Sequence, residues 1–270
     1  MSKTVLITGV SSGIGRETAK YFQEKGWNVA ATMRAPEKEK ELTKLPNVIC
    51  PKLDVTDEES ITLAIENTLE KFDAIDVIVN NAGYSLTGIF EAATNDQLQH
   101  QYDVNVFGVM NVVRAILPYF RVKKSGTIVN VSSTGGKITL PLYSMYQSTK
   151  WAISGFSEAL QFELRQFNIK VKVIEPGAVI TDFYDRSMTH TKKEGLTDYD
   201  EYVQKIYAVN DKFVSKGNHP LKTAKVIFKA ATSTNWKLYY PSGSDAKIFL
   251  KLRKLQPVSW FNSIIRMVYR

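Results

Sequence analysis

Short apolar runs rich in valine and isoleucine alternate along this chain with longer stretches in which apolar residues recur three and four positions apart. The short runs indicate buried strands, and the longer stretches indicate amphipathic helices. The predicted strands cover residues 4–8, 27–33, 47–53, 75–80, 126–132, 169–175 and 236–240. The predicted helices cover residues 14–25, 36–44, 56–72, 95–120, 146–167 and 222–231, with Thr56 as the expected cap of the third.

Strands that alternate with helices in this way predict an α/β fold, namely one doubly wound, Rossmann-type parallel sheet with helices on both faces. There is no internal repeat or low-complexity linker, so residues 1–270 are expected to form a single domain. The regularity fades after Pro176. Residues 182–216 are polar and charged, and two interpretations stay open for them: a solvated helical excursion, or a small helical lid over a substrate.

Composition narrows the class of protein. The chain is 44% hydrophobic and 23% charged, which is typical of a soluble globular protein. Its single cysteine, Cys50, cannot form an internal disulfide, so a reducing compartment is expected. The first apolar run is too short for a signal peptide, and no run approaches the ~20 residues of a membrane span. These observations predict a cytoplasmic protein, and its net charge of +8 is compatible with phosphate-bearing ligands.

A glycine-rich turn follows the first predicted strand and opens the first predicted helix. Glycine lets a backbone turn sharply and approach a pyrophosphate closely, and the N-terminus of a helix favours phosphate through its unpaired N–H groups and its dipole. A glycine-rich turn alone is weak evidence, but here it occupies the first strand-to-helix turn of a βαβ pattern, as a dinucleotide site requires. The candidate cofactor-binding residues of this turn are Gly9, Ser11, Ser12, Gly13, Ile14 and Gly15.

The glycine spacing and a second motif resemble those of a known family. The turn reads Thr-Gly-x-x-x-Gly-x-Gly over residues 8–15, and Asn-Asn-Ala-Gly follows the fourth strand at residues 80–83. Together they resemble the short-chain dehydrogenase/reductase family over residues 3 to about 181. The resemblance implies an oxidoreductase that uses a nicotinamide dinucleotide, with hydroxysteroid and retinol dehydrogenase-like proteins as similar members.

The end of the second strand indicates which dinucleotide is bound. NAD sites usually carry an acidic residue there for the ribose 2′-hydroxyl, whereas an arginine accommodates the 2′-phosphate of NADP. This chain has no acidic residue at that strand end and has Arg34, whose guanidinium can bind phosphate through two parallel hydrogen bonds. We therefore expect NADP(H) to be preferred over NAD(H). Arg16 is a second candidate, with a role on the helix surface as the alternative.

A tyrosine and a lysine provide the candidate chemistry. Tyr146 and Lys150 are four residues apart and share one face of a predicted helix. A free tyrosine has a pKa near ~10, and a neighbouring ammonium lowers that pKa toward the range useful for acid–base catalysis. The family resemblance implies that Ser133 binds the substrate oxygen. It also implies that Asn105 supports a water-linked proton relay to Lys150, which would bind the nicotinamide ribose as well.

The resemblance implies further cofactor contacts at the ends of the third, fourth and sixth strands. Asp54 and Val55 are expected near the adenine, although Asp54 is alternatively a cap or turn residue beside Thr56. The sheet-centre turn beside the cofactor comprises Asn81, Ala82 and Gly83. The segment expected to frame the nicotinamide includes Pro176, Gly177, Val179 and Thr181.

The end of the chain, residues 247–270, is basic and amphipathic and contains no acidic residue. Two interpretations stay open: it packs over a substrate pocket, or it contacts an anionic membrane surface, in which case a lipid or sterol substrate would fit. No motif indicates nucleic-acid binding. The histidines lack metal-ligand spacing, so no metal site is expected.

The expected function is reversible hydride transfer between NADP(H) and a small hydrophobic alcohol, aldehyde or ketone, with Tyr146 as the general acid and base. The alternative is an NADP(H)-binding regulatory protein without catalysis, which is disfavoured because Asn105, Ser133, Tyr146 and Lys150 are all present. The glycine spacing disfavours a sugar-nucleotide epimerase. The resemblance implies a homodimer or homotetramer formed through the two long helices near Asn105 and Tyr146.

Overall fold

The computed structural model describes residues 2–181 and 187–270 and has a seven-stranded parallel sheet at its centre. The strands of this sheet are β1 (Thr4–Ile7), β2 (Asn28–Ala31), β3 (Val48–Ile49), β4 (Val77–Asn80), β6 (Gly126–Val131), β7 (Ile169–Pro176) and β9 (Tyr239–Ser242). Two short strands, β5 (Ser85–Thr87) and β8 (Met188–His190), lie outside it. The sheet order is β3-β2-β1-β4-β6-β7-β9, and β5 pairs with β8 in a separate parallel ladder. The chain runs outward in both directions from β1 and β4, so the switch point where ligands bind lies between them.

Helices cover both faces of the sheet, which confirms the predicted doubly wound α/β fold. The helices are α1 (Gly13–Glu24), α2 (Glu58–Phe72), α3 (Asn95–Tyr102), α4 (Gly108–Lys123), α5 (Ser144–Leu164), α6 (Asp200–Val214), α7 (Pro220–Thr232), α8 (Ser244–Leu255) and α9 (Val258–Val268). One core cluster packs α2, α4 and α5 on one face, and a second packs α1 and α7 on the other. All four residues of β1 are buried because apolar side chains meet helices on both sides.

A third apolar cluster forms a roof over the carboxyl ends of the strands. Residues of α6 and α9 pack there against the loop that follows β6, through Ile206, Phe261, Ile265, Ile138 and Leu142. The basic C-terminal segment therefore folds back onto the body of the protein as two helices, α8 and α9. This placement agrees with the first interpretation of residues 247–270, in which they pack over a pocket.

Several local predictions are corrected by the structure. Asp57, not Thr56, caps α2, because its Oδ1 accepts from the backbone N–H groups of Glu59 and Ser60 at 3.0 and 3.2 Å. The predicted helix 36–44 is two separate 3₁₀ turns, Pro36–Lys38 and Leu42–Lys44.

Residues 182–216, for which a solvated helical excursion and a small helical lid both stay open, are not wholly helical. Residues 182–186 lie outside the described residues, and within the remainder strand β8 precedes helix α6. β8 pairs with β5, which directly follows the Asn-Asn-Ala-Gly turn. Residues 188–190 are thereby attached to the segment after the sheet-centre turn through backbone pairing that polar composition did not reveal.

Candidate active site

A cavity of about 570 Å³ lies along the carboxyl ends of β1, β4, β6 and β7. Its lining brings together all but two of the residues predicted for cofactor binding and catalysis. The predicted residues that line it are Gly9, Ser11, Ser12, Gly13, Ile14, Arg34, Asp54, Val55, Asn81, Ala82, Gly83, Ser133, Tyr146, Lys150, Pro176, Gly177, Val179 and Thr181. Gly15 and Asn105 lie behind this wall and support it.

The glycine turn is built for close backbone approach. Gly9 has φ +71°, and a Cβ at this position would lie 2.7 Å from the Cα of Ala82. Asn81 fastens the turn, since its Nδ2 donates to the carbonyls of Thr8 at 3.0 Å and Gly9 at 2.9 Å. Gly15 does not line the cavity; a Cβ there would collide with the Gly9 carbonyl, so Gly15 lets α1 pack against the turn.

The beginning of α1 fits a phosphate group. Ser12 occupies the N-cap position, and its side chain makes no capping hydrogen bond. The first N–H groups of a helix need a partner, and a bound anion can supply one. The turn and the helix start therefore fit the diphosphate of a dinucleotide.

The two candidate arginines have different surroundings. Arg34 is exposed and lines the cavity at the end of β2. Arg16 lies apart from the cavity lining and is held by two carboxylates, Glu39 at 2.6 Å and Glu41 at 2.8 Å. The hydrogen bond from Arg16 lowers the pKa of Glu39 to about 2, so this pair stays ionised at neutral pH. The helix-surface interpretation of Arg16 agrees with these contacts.

Tyr146 and Lys150 lie on the inward face of α5. Tyr146 lines the cavity, and Lys150 Nζ lies 5.6 Å from the centre of its ring. Lys150 is buried and donates to the carbonyl of Val131 at 3.0 Å. Burial lowers the pKa of Lys150 to about 8, because desolvation disfavours the charged form.

Two adjacent serines at the end of β6 have separate environments. Ser132 is buried, donates to the carbonyl of Lys150 at 3.1 Å and lies 3.0 Å from the hydroxyl of Ser154. It fastens β6 to α5. Ser133 lines the cavity, where its Oγ accepts from the N–H of Gly135 at 3.0 Å. This contact leaves the Ser133 hydroxyl proton available for a substrate oxygen.

Asn105 lies in a π-helical turn, Asp103–Phe107, that interrupts the predicted helix 95–120. Its side chain is buried and makes three hydrogen bonds within the protein. Oδ1 accepts from the N–H of Tyr84 at 3.0 Å, and Nδ2 donates to the carbonyl of Tyr84 at 2.8 Å and to the hydroxyl of Thr149 at 3.2 Å. The Asn105 side chain therefore holds the backbone after the sheet-centre turn against α5, behind Lys150.

Asp54 makes the turn contact beside Thr56 that the sequence offers as the alternative to an adenine contact, and the adenine contact stays a prediction. Asp54 lines the cavity, and its Oδ1 accepts from the backbone and the hydroxyl of Thr56 at 3.0 and 2.8 Å. The turn contact fixes the carboxylate in the segment between β3 and α2.

The segment after β7 is held by a residue that sequence analysis missed. Asp245, in the first turn of α8, accepts from the N–H of Ala178 at 2.9 Å and from Asn218 Nδ2 at 3.0 Å. A Cβ on Gly177 would collide with this carboxylate. No local motif marks Asp245, because its partners are 67 and 27 residues away.

The end of the cavity away from the glycine turn is mostly apolar, and most of its lining lies outside the motifs. Side chains come from the segment after β4, from α3 and the π-helical turn, from the loop after β6, from residues 187–214 and from the C-terminal helices. They include Tyr84, His100, Val104, Ile138, Leu140, Tyr143, Met188, Phe213, Val214, Phe249, Ile265, Val268 and Tyr269. Gln147 and Asn210 add polar side chains to the lining.

A protein-family model described as short chain dehydrogenase matches residues 3–192 of this chain, and this match decides the family. The chain belongs to the short-chain dehydrogenase family. This confirms the resemblance carried by the glycine and Asn-Asn-Ala-Gly motifs. The protein is an oxidoreductase of the kind that acts on CH–OH or carbonyl groups.

Individual relatives cover nearly the whole chain. A 3-ketodihydrosphingosine reductase of Bacteroides thetaiotaomicron is 32% identical over 98% of this chain and 97% of its own. A short-chain dehydrogenase structure from Streptomyces avermitilis has a TM-score of 0.83 and 31% identity, covering 98% of this chain and 97% of that one. The NADP-bound structure of ElxO has a TM-score of 0.74 and 30% identity, covering 89% and 98%.

Within residues 2–181 and 187–270, no group of three or more His, Cys, Asp or Glu side chains is arranged to hold a metal ion. None of the helices in this described part has the length and apolarity that crossing a membrane requires.

Proposed function

We propose that this short-chain dehydrogenase is an NADP(H)-dependent enzyme that interconverts an alcohol with an aldehyde or ketone on a hydrophobic substrate. The observation that carries the proposal is the meeting of Tyr146, Lys150 and Ser133 in the cavity whose other end is the glycine turn. The turn, Ser12 and Arg34 would hold the dinucleotide. The Pro176–Thr181 segment would hold its nicotinamide half.

The protein groups have distinct roles in this proposal. The Ser133 hydroxyl donates a hydrogen bond to the substrate oxygen, and Tyr146 donates a proton to that oxygen during reduction. The nearby ammonium of Lys150 stabilises the phenolate left on Tyr146. When bound, the nicotinamide supplies or accepts the hydride. The apolar lining excludes water and strengthens these polar interactions.

The preference for NADP(H) is argued from Arg34 and is supported by the NADP bound to ElxO. We expect Arg34→Ala to raise the KM for NADPH about 10- to 100-fold, because a hydrogen bond to a charged group contributes ~1.5–3 kcal/mol. The KM for NADH should stay nearly unchanged, since NADH lacks the 2′-phosphate. Steady-state kinetics with both nucleotides measures the effect.

Lys38→Ala is the matched control for Arg34→Ala, because Lys38 is an exposed cation just after Arg34 that does not line the cavity. An equal rise in the KM for both nucleotides in Arg34→Ala would show that Arg34 does not recognise the 2′-phosphate. Failure of the wild type to bind either nucleotide would refute the proposed function. NADPH binding without turnover of any ketone, aldehyde or steroid would favour the regulatory alternative.

We also propose that the outer face of the C-terminal helices contacts an anionic membrane surface. Leu255, Val258, Trp260 and Met267 are each more than half exposed there. No acidic residue follows Asp245 in the chain, whereas six basic residues do, so the segment is complementary to anionic headgroups. The inner face of the same helices lines the cavity, so a substrate could enter from the lipid phase.

Cosedimentation with phosphatidylcholine vesicles, with and without phosphatidylserine, tests this membrane contact. We expect Trp260→Ser to reduce binding to the anionic vesicles several-fold, because it removes the largest exposed apolar side chain of the face. Phe90→Ser, which changes an equally exposed aromatic residue elsewhere, should leave binding unchanged. Wild-type protein that stays in the supernatant with anionic vesicles would refute the contact.

A further inference from the structure

The segment after β7, residues 176–181, is held by a neighbouring stretch of backbone and by one side chain. The N–H of Asn218 donates to the carbonyl of Ala178 at 2.9 Å, and the carbonyl of Asn218 accepts from the N–H of Ile180 at 2.9 Å. The N–H of Ala178 donates to Oδ2 of Asp245 at 2.9 Å. A carboxylate from α8 therefore completes the fastening that backbone pairing begins.

The Asp245 carboxylate uses both of its oxygens. Oδ1 accepts from Asn218 Nδ2 at 3.0 Å, and Asn218 Oδ1 accepts in turn from Lys222 Nζ at 2.7 Å. Asp245 lies in the first turn of α8, where the helix dipole favours a negative charge. One carboxylate thus joins the start of α8 to two segments that lie 67 and 27 residues before it along the chain.

The backbone approaches the Asp245 carboxylate closely on two sides. A Cβ on Gly177 or on Gly243 would collide with it, so both positions need glycine for the carboxylate to lie where it does. Asp245, Gly177 and Ala178 all line the cavity. The contact is therefore part of the cavity wall and not of a distant support.

The contact positions the residues that are expected to meet the nicotinamide. Val179 and Thr181 line the cavity and follow Ala178 closely in the chain, so a displacement of Ala178 would displace both. The groups expected to hold the phosphates, namely the glycine turn and Arg34, lie on other elements, at the start of α1 and after β2. Loss of the Asp245 contact should therefore act on one half of the cofactor.

We propose that Asp245 is a positioning residue for the nicotinamide half of NADP(H), and that the C-terminal helices contribute to cofactor binding through it. It acts through the N–H of Ala178, by fixing the segment that carries Val179 and Thr181. This inference rests on the proposed function, because it assumes that NADP(H) occupies the cavity with its nicotinamide beside residues 176–181.

The test compares NADPH with 2′,5′-ADP, a fragment that keeps the 2′-phosphorylated adenosine and lacks the nicotinamide half. Asp245→Asn keeps the shape of the side chain but leaves one acceptor oxygen for two donors, the Ala178 N–H and Asn218 Nδ2. We expect the dissociation constant of NADPH to rise about tenfold, as the loss of a hydrogen bond to a charged group predicts, and that of 2′,5′-ADP to stay within about twofold. Isothermal titration of the whole chain with each ligand measures both constants.

Asp200→Asn is the matched control, because it makes the same substitution in the first turn of α6, at an exposed position that does not line the cavity. Both of its dissociation constants should equal those of wild type, and thermal denaturation shows whether each variant is folded. An Asp245→Asn protein that binds both ligands as wild type does, or that loses affinity for both equally, overturns the inference.

If Asp245→Asn does not fold, Asn218→Ala is the second variant. It removes the amide that holds Asp245 Oδ1, so the carboxylate can turn away from Ala178, and the same selective loss of NADPH affinity is expected. Wild type that binds both ligands, together with variants that show no selective loss, refutes the positioning role alone. Wild type that binds neither ligand refutes the proposed function.

Discussion

Tyr146→Phe is expected to lower kcat about 10²- to 10⁴-fold, the range that general acid–base catalysis contributes. Phenylalanine keeps the ring of Tyr146 against its neighbours and removes the hydroxyl that donates the proton. NADPH affinity should change little, because the glycine turn and Arg34 lie at the other end of the cavity. Turnover and the dissociation constant of NADPH, measured on the same preparation, separate the two effects.

Tyr143→Phe is the matched control for this substitution. Tyr143 also lines the cavity, and its ring centre lies 6.4 Å from that of Tyr146, but it does not stand four residues before the lysine. We expect it to retain kcat within about threefold, since it supplies no proton. A Tyr146→Phe enzyme with near wild-type kcat, or a Tyr143→Phe enzyme with the larger loss, would show that the proton donor is assigned wrongly.

Gly9→Ala is expected to weaken NADPH binding by at least about tenfold and to destabilise the fold by more than ~1 kcal/mol. An alanine at this position would have to adopt a left-handed backbone conformation, with φ +71°. Its Cβ would lie 2.7 Å from the Cα of Ala82. That atom is backbone and cannot rotate away, so β1 and β4 must separate where the diphosphate is expected to bind. Isothermal titration with NADPH and thermal denaturation measure the two effects.

Gly26→Ala distinguishes steric collision from backbone strain. Gly26 has a similar φ, +78°, and a Cβ there would meet nothing within 4 Å. Gly26→Ala should lower the free energy of unfolding by only the ~1–2 kcal/mol of a left-handed alanine and leave NADPH affinity unchanged. If Gly9→Ala resembles Gly26→Ala in both measurements, the close approach of the turn to Ala82 does not matter for cofactor binding.

The positions of the glycine turn and of the tyrosine–lysine pair were largely predictable because each motif is local. Gly9 and Gly13 both have positive φ, which glycine adopts without the cost that a side chain brings. Tyr146 and Lys150 share a helix face through their spacing alone. Prediction was less accurate where two neighbouring residues suited the same role. Thr56 and Asp57 are both favourable N-cap residues, and in the structure Asp57 accepts the hydrogen bonds from the following N–H groups.

Groups whose partners lie far along the chain were not predictable in this way. Arg16 and Arg34 have the same chemistry, and only the fold brings Glu39 and Glu41 to one of them. The homo-oligomer stays a prediction, with Trp151 and Phe162 of α5 exposed on the expected face.

The sequence by itself determined the order of strands and helices, the glycine turn and the tyrosine–lysine pair, because short-range backbone and spacing rules govern all of them. Tertiary structure alone decided what closes the end of the cavity away from the glycine turn. The roof joins residues around 138, 206 and 265, and hydrophobic packing of this kind is not directional, so an apolar side chain does not specify its distant partner. The contact between Asp245 and Ala178, 67 residues apart, became visible only once α8 was packed against the segment after β7.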